Sequence, residues 1–301
     1  MLVADTGSVS AVIVHYRTPV QTVCAARSVA QTAPGTRIIV VDNASRDVIG
    51  ERLAAEVPGA RVLSARENRG YGAACNLGAR ETAGEYLLFL NSDTAVGKGA
   101  VLALAEALDA DPRAAVVGPR LVNPDGSPQP SIQRLPTPWR IFCESSGLAA
   151  LAGGRGVFRG HTATREDHGR PHAVSALKGA ALCVRRSAFE EVGGFDETFF
   201  LYGEETDLLA RLSSRGYRIL YEPRAEVAHV GGGSGGDALF GQLHAGLRYY
   251  VRKHHGIAAA RFAGLVLAAG AAARWLLALA TPGESGRRRR LRYRAALLKT
   301  R

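Results

Sequence analysis

Short apolar runs alternate with helix-length amphipathic stretches through the first part of the chain. Val9 to Val14, Arg37 to Val41, Arg61 to Leu63 and Tyr86 to Leu90 read as strands. Thr22 to Gln31, Val48 to Glu56, Gly72 to Thr82 and Gly99 to Asp109 read as the helices between them. Strands that are apolar at successive positions have both faces covered, so the pattern predicts an α/β domain with a mostly parallel central sheet flanked by helices. In such sheets ligands bind beyond the carboxyl ends of the strands. The polar residues just after each strand are therefore the first candidates for chemistry.

They form a coherent set. His15-Tyr16-Arg17-Thr18-Pro19 follows the first strand, Asp42-Asn43-Ala44-Ser45 the second and Asn91-Ser92-Asp93 the fourth. An acid at the position of Asp42 can accept hydrogen bonds from a base or a ribose hydroxyl, while the same four residues also make a good turn and helix cap. The run Asn68-Arg69-Gly70-Tyr71-Gly72, continuing to Asn76 and Gly78, is a glycine-rich approach to a helix. It would let backbone N–H groups and Arg69 reach a diphosphate; its alternative is a helix that needs small residues for close packing. A carboxylate at Asp93 can hold Mg²⁺ or Mn²⁺ while substrate phosphates complete the oxygen shell.

Further along, aromatics lead into Glu204-Glu205-Thr206-Asp207 at the start of a helix whose apolar stripe is Leu208, Leu209 and Leu212. Glu205 lies three, four and seven positions before those leucines, which places it on the buried stripe. A carboxylate there points to a catalytic role, against the simpler reading that acids in a first turn complement the helix dipole. His229 closes another short apolar run, ahead of Gly231-Gly232-Gly233-Ser234, a segment suited to movement or to close approach of a ligand. Leu151 to Pro171 is long, polar and glycine-rich and reads as a mobile flap.

Charge is unevenly distributed. Of 38 Lys and Arg, 13 lie between Arg248 and Arg301 against the single acid Glu284; the net charge is +11, so the rest of the chain is close to neutral. A nucleic-acid binder would carry its basic residues on the folded domain among aromatics, and that class is set aside. Here they flank the apolar stretch Ile257 to Ala280, which Arg261 and Arg274 interrupt. A spanning helix needs roughly 20 apolar residues, so the stretch is expected to lie on an anionic membrane surface, with about 1 kcal/mol contributed by each nearby basic residue. The division expected is a catalytic domain over 1–238 and a helical, membrane-associating segment over 239–301.

The first residues lack a basic n-region and a long apolar core, so a cytoplasmic location at the inner face of the cell membrane is expected. Cys24, Cys75, Cys143 and Cys183 are widely spaced, which fits reduced thiols. Two other functions remain open from the residues alone. A sugar nucleotidyltransferase would need glycines after the first strand, which His15 to Pro19 do not provide, and a non-catalytic nucleotide-sugar-binding protein would not need Asp93, Glu205 and His229 together.

Taken in order, Val12-Ile13-Val14-His15-Tyr16, Val40-Val41-Asp42-Asn43-Ala44-Ser45, Asn68-Arg69-Gly70-Tyr71-Gly72, Leu90-Asn91-Ser92-Asp93-Thr94, Gly193-Gly194-Phe195-Asp196, the Glu204-Glu205 segment and His229 resemble the motifs of family 2 glycosyltransferases, and most nearly their rhamnosyltransferase-like branch. The resemblance runs from about Val9 to Ser234. It implies a GT-A fold, a divalent metal (Mg²⁺ or Mn²⁺), a nucleotide-diphosphate sugar donor of the dTDP-, UDP- or GDP- type, and inversion at the anomeric carbon.

The resemblance also assigns roles. Asp42 matches the acid that contacts base and ribose, and His15, Tyr16, Asn43, Asn68, Arg69, Gly70, Asn76, Asn91 and Ser92 fall in the donor-binding motifs. Asp93 matches the last, metal-binding acid of an Asp-x-Asp motif whose first acid is here Asn91, which gives His229 more weight as a second metal ligand. Phe195 and Asp196 match a turn that lines the donor and acceptor pocket. Glu205 matches the general base, with Glu204 and Asp207 as alternatives, and Lys178 receives no role. The acceptor implied with the basic, apolar tail is lipid-linked or a polysaccharide, in cell-envelope glycan synthesis.

Overall fold

A computed structural model describes residues 6–163, 168–231 and 240–299. Its contacts divide the chain into two compact units. The first comprises Met1–Gln133, Glu166–Thr198 and Glu205–Ser234; the second comprises Arg134–Arg165, Phe199–Glu204 and Gly235–Arg301.

The first unit opens with β1 (Val9–His15), α1 (Pro19–Thr32), β2 (Arg37–Asp42), α2 (Ile49–Glu56), β3 (Ala60–Ser64), α3 (Tyr71–Arg80) and β4 (Tyr86–Asn91). Each lies within a residue or a few of its expected span. After them come β5 (Thr94–Val96), α4 (Ala100–Ala110), β6 (Ala114–Val122), β7 (Pro128–Gln129) and β8 (Ile132–Gln133). In the second unit α5 (Pro138–Ser145) and α6 (Leu148–Leu151) intervene, and the chain returns to the first as β9 (His172–Val174), β10 (Ala176–Leu177), β11 (Ala181–Arg185), α7 (Arg186–Glu191), α8 (Glu204–Ser214) and β12 (Arg218–His229).

The main sheet runs in the order β3-β2-β1-β4-β11-β6-β12-β5. The first four strands pair parallel, β11 is antiparallel to both its neighbours, and β12 is parallel to β6. The chain moves outward from β1 to β3 and then crosses back to place β4 on the other side of β1. Strand order therefore reverses between β1 and β4, the point beyond whose carboxyl ends such sheets bind their ligands.

Continuous apolar strands are covered on both faces, as expected. Val9, Ala11 and Ile13 join a core with Val23, Ala26 and Val29 of α1 and Leu104 and Leu108 of α4. On the opposite face Val12 and Val41 meet Gly78 of α3 so closely that an added Cβ would collide with Val12. The small residues of α3 thus serve close helix-to-sheet packing, the alternative reading of that glycine-rich run. Each fully buried Val, Ile or Leu side chain contributes about 1.5–3 kcal/mol.

In the second unit, α9 (Phe240–Leu279) breaks at Gly256, whose φ of 87° only glycine adopts readily, and α10 (Gly283–Lys299) packs on it. Gly241–Leu279 is long and apolar enough to cross a membrane by length and composition. Arg274, one of the two charges between Ile257 and Ala280, donates to the carbonyl of Ser145 at 3.0 Å and is tied to protein. Ile257, Phe262, Leu265, Leu276, Leu277 and Leu279 are exposed. The expected flap is anchored where it is described: Glu144 of α5 accepts from the backbone of His161 and Thr162, and Trp139 donates to the carbonyl of Val157. Thr164 to Asp167 of that segment, and Gly232 to Ser234 of the glycine run, lie outside the described residues.

Candidate active site

The loops that follow the four parallel strands close their carboxyl end. After β2, Asp42 accepts from the backbone N–H of Ser45 at 2.8 Å, and Asn43 donates to Asn68 Oδ1 at 3.0 Å and to the carbonyl of Gly70 at 3.2 Å. After β4, Ser92 accepts from Thr18 at 2.9 Å. Arg17, Ala44 and Arg46 all have positive φ, 57°, 61° and 58°. Such backbone costs about 1–3 kcal/mol per residue and gathers at ligand-binding loops. Tyr16 is half-buried, with the Arg17 guanidinium 5.1 Å over its ring.

The second cluster gathers around Asp93. β5 pairs antiparallel with β12 so that Thr94 stands opposite His229, which brings the imidazole beside the carboxylate. His229 Nε2 is 3.5 Å from Asp93 Oδ1, while Asp93 Oδ2 accepts from the N–H of Gly231 at 3.1 Å. Both side chains are nearly enclosed, 11% and 6% exposed. Burial pushes the His229 ring below its ordinary value, with Asp93 opposing and Lys178 adding to the shift. Burial lowers the Lys178 ammonium as well, again opposed by Asp93.

A carboxylate oxygen and an imidazole nitrogen this close fit one divalent ion, whose bonds to such ligands are about 2.1 Å. Among the described residues no group of three or more His, Cys, Asp or Glu side chains forms a metal cluster. The rest of an octahedral shell is left to water and substrate oxygens, the usual arrangement where phosphates share the ion.

Glu205 reaches the same region through the segment Lys178–Ala180. Ala180 accepts from the backbone N–H of Asn91 at 3.0 Å, and a Cβ added to Gly179 would lie 2.9 Å from Glu205 Cγ. Glu205 is half-buried, less deep than its place on the stripe implied. Asp207 is fully buried and ion-paired to Arg211 at 2.7 Å, and Arg211 also donates to the carbonyls of Val192 and Gly194. Glu204 is buried too, at 4% exposure.

Several expected donor contacts are turned inward instead. His15 is fully buried, its ring nitrogens on Thr22 at 2.8 Å and Asp47 at 3.0 Å. Asn76 brackets the backbone of Phe195, accepting from its N–H and donating to its carbonyl, both at 2.9 Å, and also donates to Glu197. Phe195 itself is 2% exposed and packs edge-on against Phe89, 5.1 Å between centroids. Asp196 accepts from the N–H of Thr198. Arg69, by contrast, is exposed at the surface, where it pairs with Glu197 at 3.0 Å.

The sequence pattern of the "Glycosyl transferase family 2" matches residues 10–192, more than half of the chain. The chain belongs to that family. A second pattern, "N-terminal domain of galactosyltransferase", matches residues 160–230. Among curated relatives, the "N-acetylglucosaminyl-diphospho-decaprenol L-rhamnosyltransferase" of Mycobacterium tuberculosis is 36% identical over 210 residues, 64% of this chain and 66% of that protein. The "Pre-mycofactocin glycosyltransferase" of the same species is 33% identical over 202 residues, 65% of this chain and 37% of that protein. The chain thus spans slightly under two thirds of the first relative's length.

Solved structures agree on the fold. The mannosyltransferase PcManGT of Pyrobaculum calidifontis, solved with GDP-Man and Mn²⁺, aligns with a TM-score of 0.59 at 17% identity, over 99% of this chain and 86% of that one. GalNAc-T7 with UDP, GalNAc and Mn²⁺ aligns with a TM-score of 0.58 at 16% identity, over 83% of this chain and 51% of that one. The first unit of this family 2 chain has the GT-A fold.

Two residues of the site escape sequence reading. Lys178 and Gln129 meet at 2.8 Å beside His229. Gln129 sits in a proline-rich stretch with no periodic signal, and the only hint for Lys178 is the glycine after it.

Proposed function

We propose that the protein is an inverting glycosyltransferase that moves a sugar from a nucleotide-diphosphate donor to a hydroxyl of a lipid-linked or polysaccharide acceptor in cell-envelope glycan synthesis. The observation that carries the reading is the convergence of Glu205, Asp93 and His229 around the Lys178–Ala180 segment. Rhamnose is the donor sugar favoured by the M. tuberculosis relative, whose name also specifies a lipid-linked diphosphate acceptor.

In this reading Asp42, Asn43, Asn68 and Gly70 hold the nucleoside end of the donor beyond the carboxyl ends of β1 and β4. A divalent ion held by Asp93 and His229 would supply Lewis acidity for the departing diphosphate. Glu205 takes the proton from the acceptor hydroxyl, and that oxygen attacks the anomeric carbon from the face opposite the diphosphate. One carboxylate suffices because the diphosphate leaves as an anion and needs no proton. Glu205 is preferred to Asp207, whose carboxylate is committed to Arg211, and to the more deeply buried Glu204.

The second unit supplies the membrane contact in this reading, through exposed apolar residues of α9 and the arginines of α10, at the cytoplasmic face. Sedimentation with anionic vesicles that weakens steeply as salt rises supports it; equal sedimentation with neutral vesicles counts against it.

The deciding experiment is calorimetric titration with dTDP, UDP and GDP, each with and without Mn²⁺. Metal-dependent binding of one nucleotide, abolished in Asp93→Ala, is the expected result and narrows the donor. Absence of binding to all three would move the non-catalytic reading ahead of this one.

A further inference from the structure

Gln129 stands behind His229, and every hydrogen-bonding capacity of its side-chain amide is used. Oε1 accepts from Lys178 Nζ at 2.8 Å and lies 2.7 Å from His229 Nδ1. Nε2 donates to the carbonyl of His229 at 3.0 Å and to Asn123 Oδ1 at 2.9 Å.

The direction of these bonds is fixed from both ends. A backbone carbonyl only accepts, so the Gln129 atom facing the carbonyl of His229 is the NH₂ group. The Asp125 carboxylate accepts from the Ser127 hydroxyl at 2.6 Å, which leaves the Ser127 oxygen to accept from Asn123 Nδ2 at 2.9 Å. Asn123 must then present its oxygen to Gln129, which independently requires NH₂ on that side. With the amide so oriented, its oxygen faces His229 Nδ1, and only an N–H on Nδ1 makes a bond there. Nδ1 therefore carries a proton, which leaves Nε2 as the ring nitrogen that can ligate an ion beside Asp93.

The fold explains why this residue is there. Asn123-Pro124-Asp125-Gly126-Ser127 forms a turn, with Gly126 at φ 80°, that pairs β7 with β6 and places Gln129 opposite Leu121. β12 runs along the other edge of β6, with Val227 and Ala228 opposite Leu121 and Val122, and delivers His229.

We propose that Gln129 is a positioning residue that sets the His229 tautomer and pre-forms the Asp93–His229 pair as a ligand set for a divalent cation. The inference rests on the metal reading above. Metal-ligating histidines that lose such a hydrogen-bond partner typically bind their ion roughly 10–100-fold more weakly.

The test is long-range ¹H–¹⁵N correlation of the histidine rings in the metal-free protein, the His229 signals assigned by their loss in His229→Gln, together with Mn²⁺ titration by calorimetry. The expected wild-type spectrum, recorded at the alkaline end of the ring's titration, has a protonated Nδ1 and an unprotonated Nε2. Gln129→Leu should lose that tautomer and weaken Mn²⁺ binding about tenfold or more. A wild-type ring protonated on Nε2, or a Gln129→Leu protein with unchanged tautomer or unchanged Mn²⁺ affinity, overturns the inference. The expected tautomer in a wild-type protein that binds no Mn²⁺, alone or with nucleotide, instead overturns the metal reading and the ligand role with it.

Discussion

Glu205 lies against the backbone of Gly179, its Cγ 2.9 Å from where a β-carbon on that residue would stand. The glycine leaves the space in which the carboxylate is held. Gly179→Ala therefore displaces Glu205 by a few tenths of an ångström or more without touching the nucleotide loops. Turnover is expected to fall roughly 10–100-fold with nucleotide affinity unchanged, as read by kcat and by calorimetry. An alanine variant with normal kcat would show that the position of Glu205 does not matter to the reaction.

The acids of α8 should separate by phenotype. Glu205→Gln is expected to lower turnover by about 10²–10⁴-fold with a nearly unchanged melting temperature. Asp207→Asn breaks a buried pair with Arg211, which typically costs about 3–5 kcal/mol, towards the lower end here because Arg211 is 20% exposed. Thermal unfolding and single-turnover rates on both variants check the assignment; a stable Asp207→Asn protein devoid of turnover would make Asp207 the base.

Asn76→Ala strips both backbone partners from Phe195 and should destabilise the first unit by roughly 1–3 kcal/mol for each buried group left unpaired. Donor-nucleotide affinity should change little, because the amide faces the turn. A large affinity loss at unchanged stability would return Asn76 to the donor site.

Glu144 gives the second unit a specific response to acid. Burial by itself would raise its carboxyl, but the hydrogen bond and charge of His161 and the hydrogen bonds of Thr162 outweigh it and bring it down to about 2. A folded value below the ordinary carboxylate value means stability that is fully present above about pH 4.5 and is lost as pH falls towards 2. Unfolding followed across that window should show a steeper loss in the wild type than in Glu144→Gln, and equal slopes would remove Glu144 from the account.

Much of this molecule was legible in its sequence. The four parallel strands and their helices are written in runs such as Val9 to Val14 and Tyr86 to Leu90, because a strand buried on both faces must be apolar at successive positions. Asp42, Asp93 and Glu205 stood out as candidates for a related reason. Polar residues directly after such runs, or acids at the head of an apolar helix stripe, stand where ligand contacts and caps are made.

The inward-facing residues were not legible. Asn76 belongs to a motif that looks like a donor loop, yet its amide is used to hold a turn more than a hundred positions away. His15 follows a strand as a ligand contact would, and is enclosed by Thr22 and Asp47. Local pattern reports where a side chain stands along the chain, and the partner of a buried polar group is chosen by whatever the fold packs against it.

The sequence by itself determined the parallel half of the sheet, the place of the candidate residues at its carboxyl edge and the uneven charge of the C-terminal segment, because each depends on periodicity or composition over short distances. Only the tertiary structure decided that Gln129 and Lys178 meet beside His229 and that Gly179 seats Glu205. The first of these depends on β12 pairing with β6 and on the β6–β7 turn. Register between strands far apart in the chain is set by the packing of the whole sheet, and no local pattern encodes it.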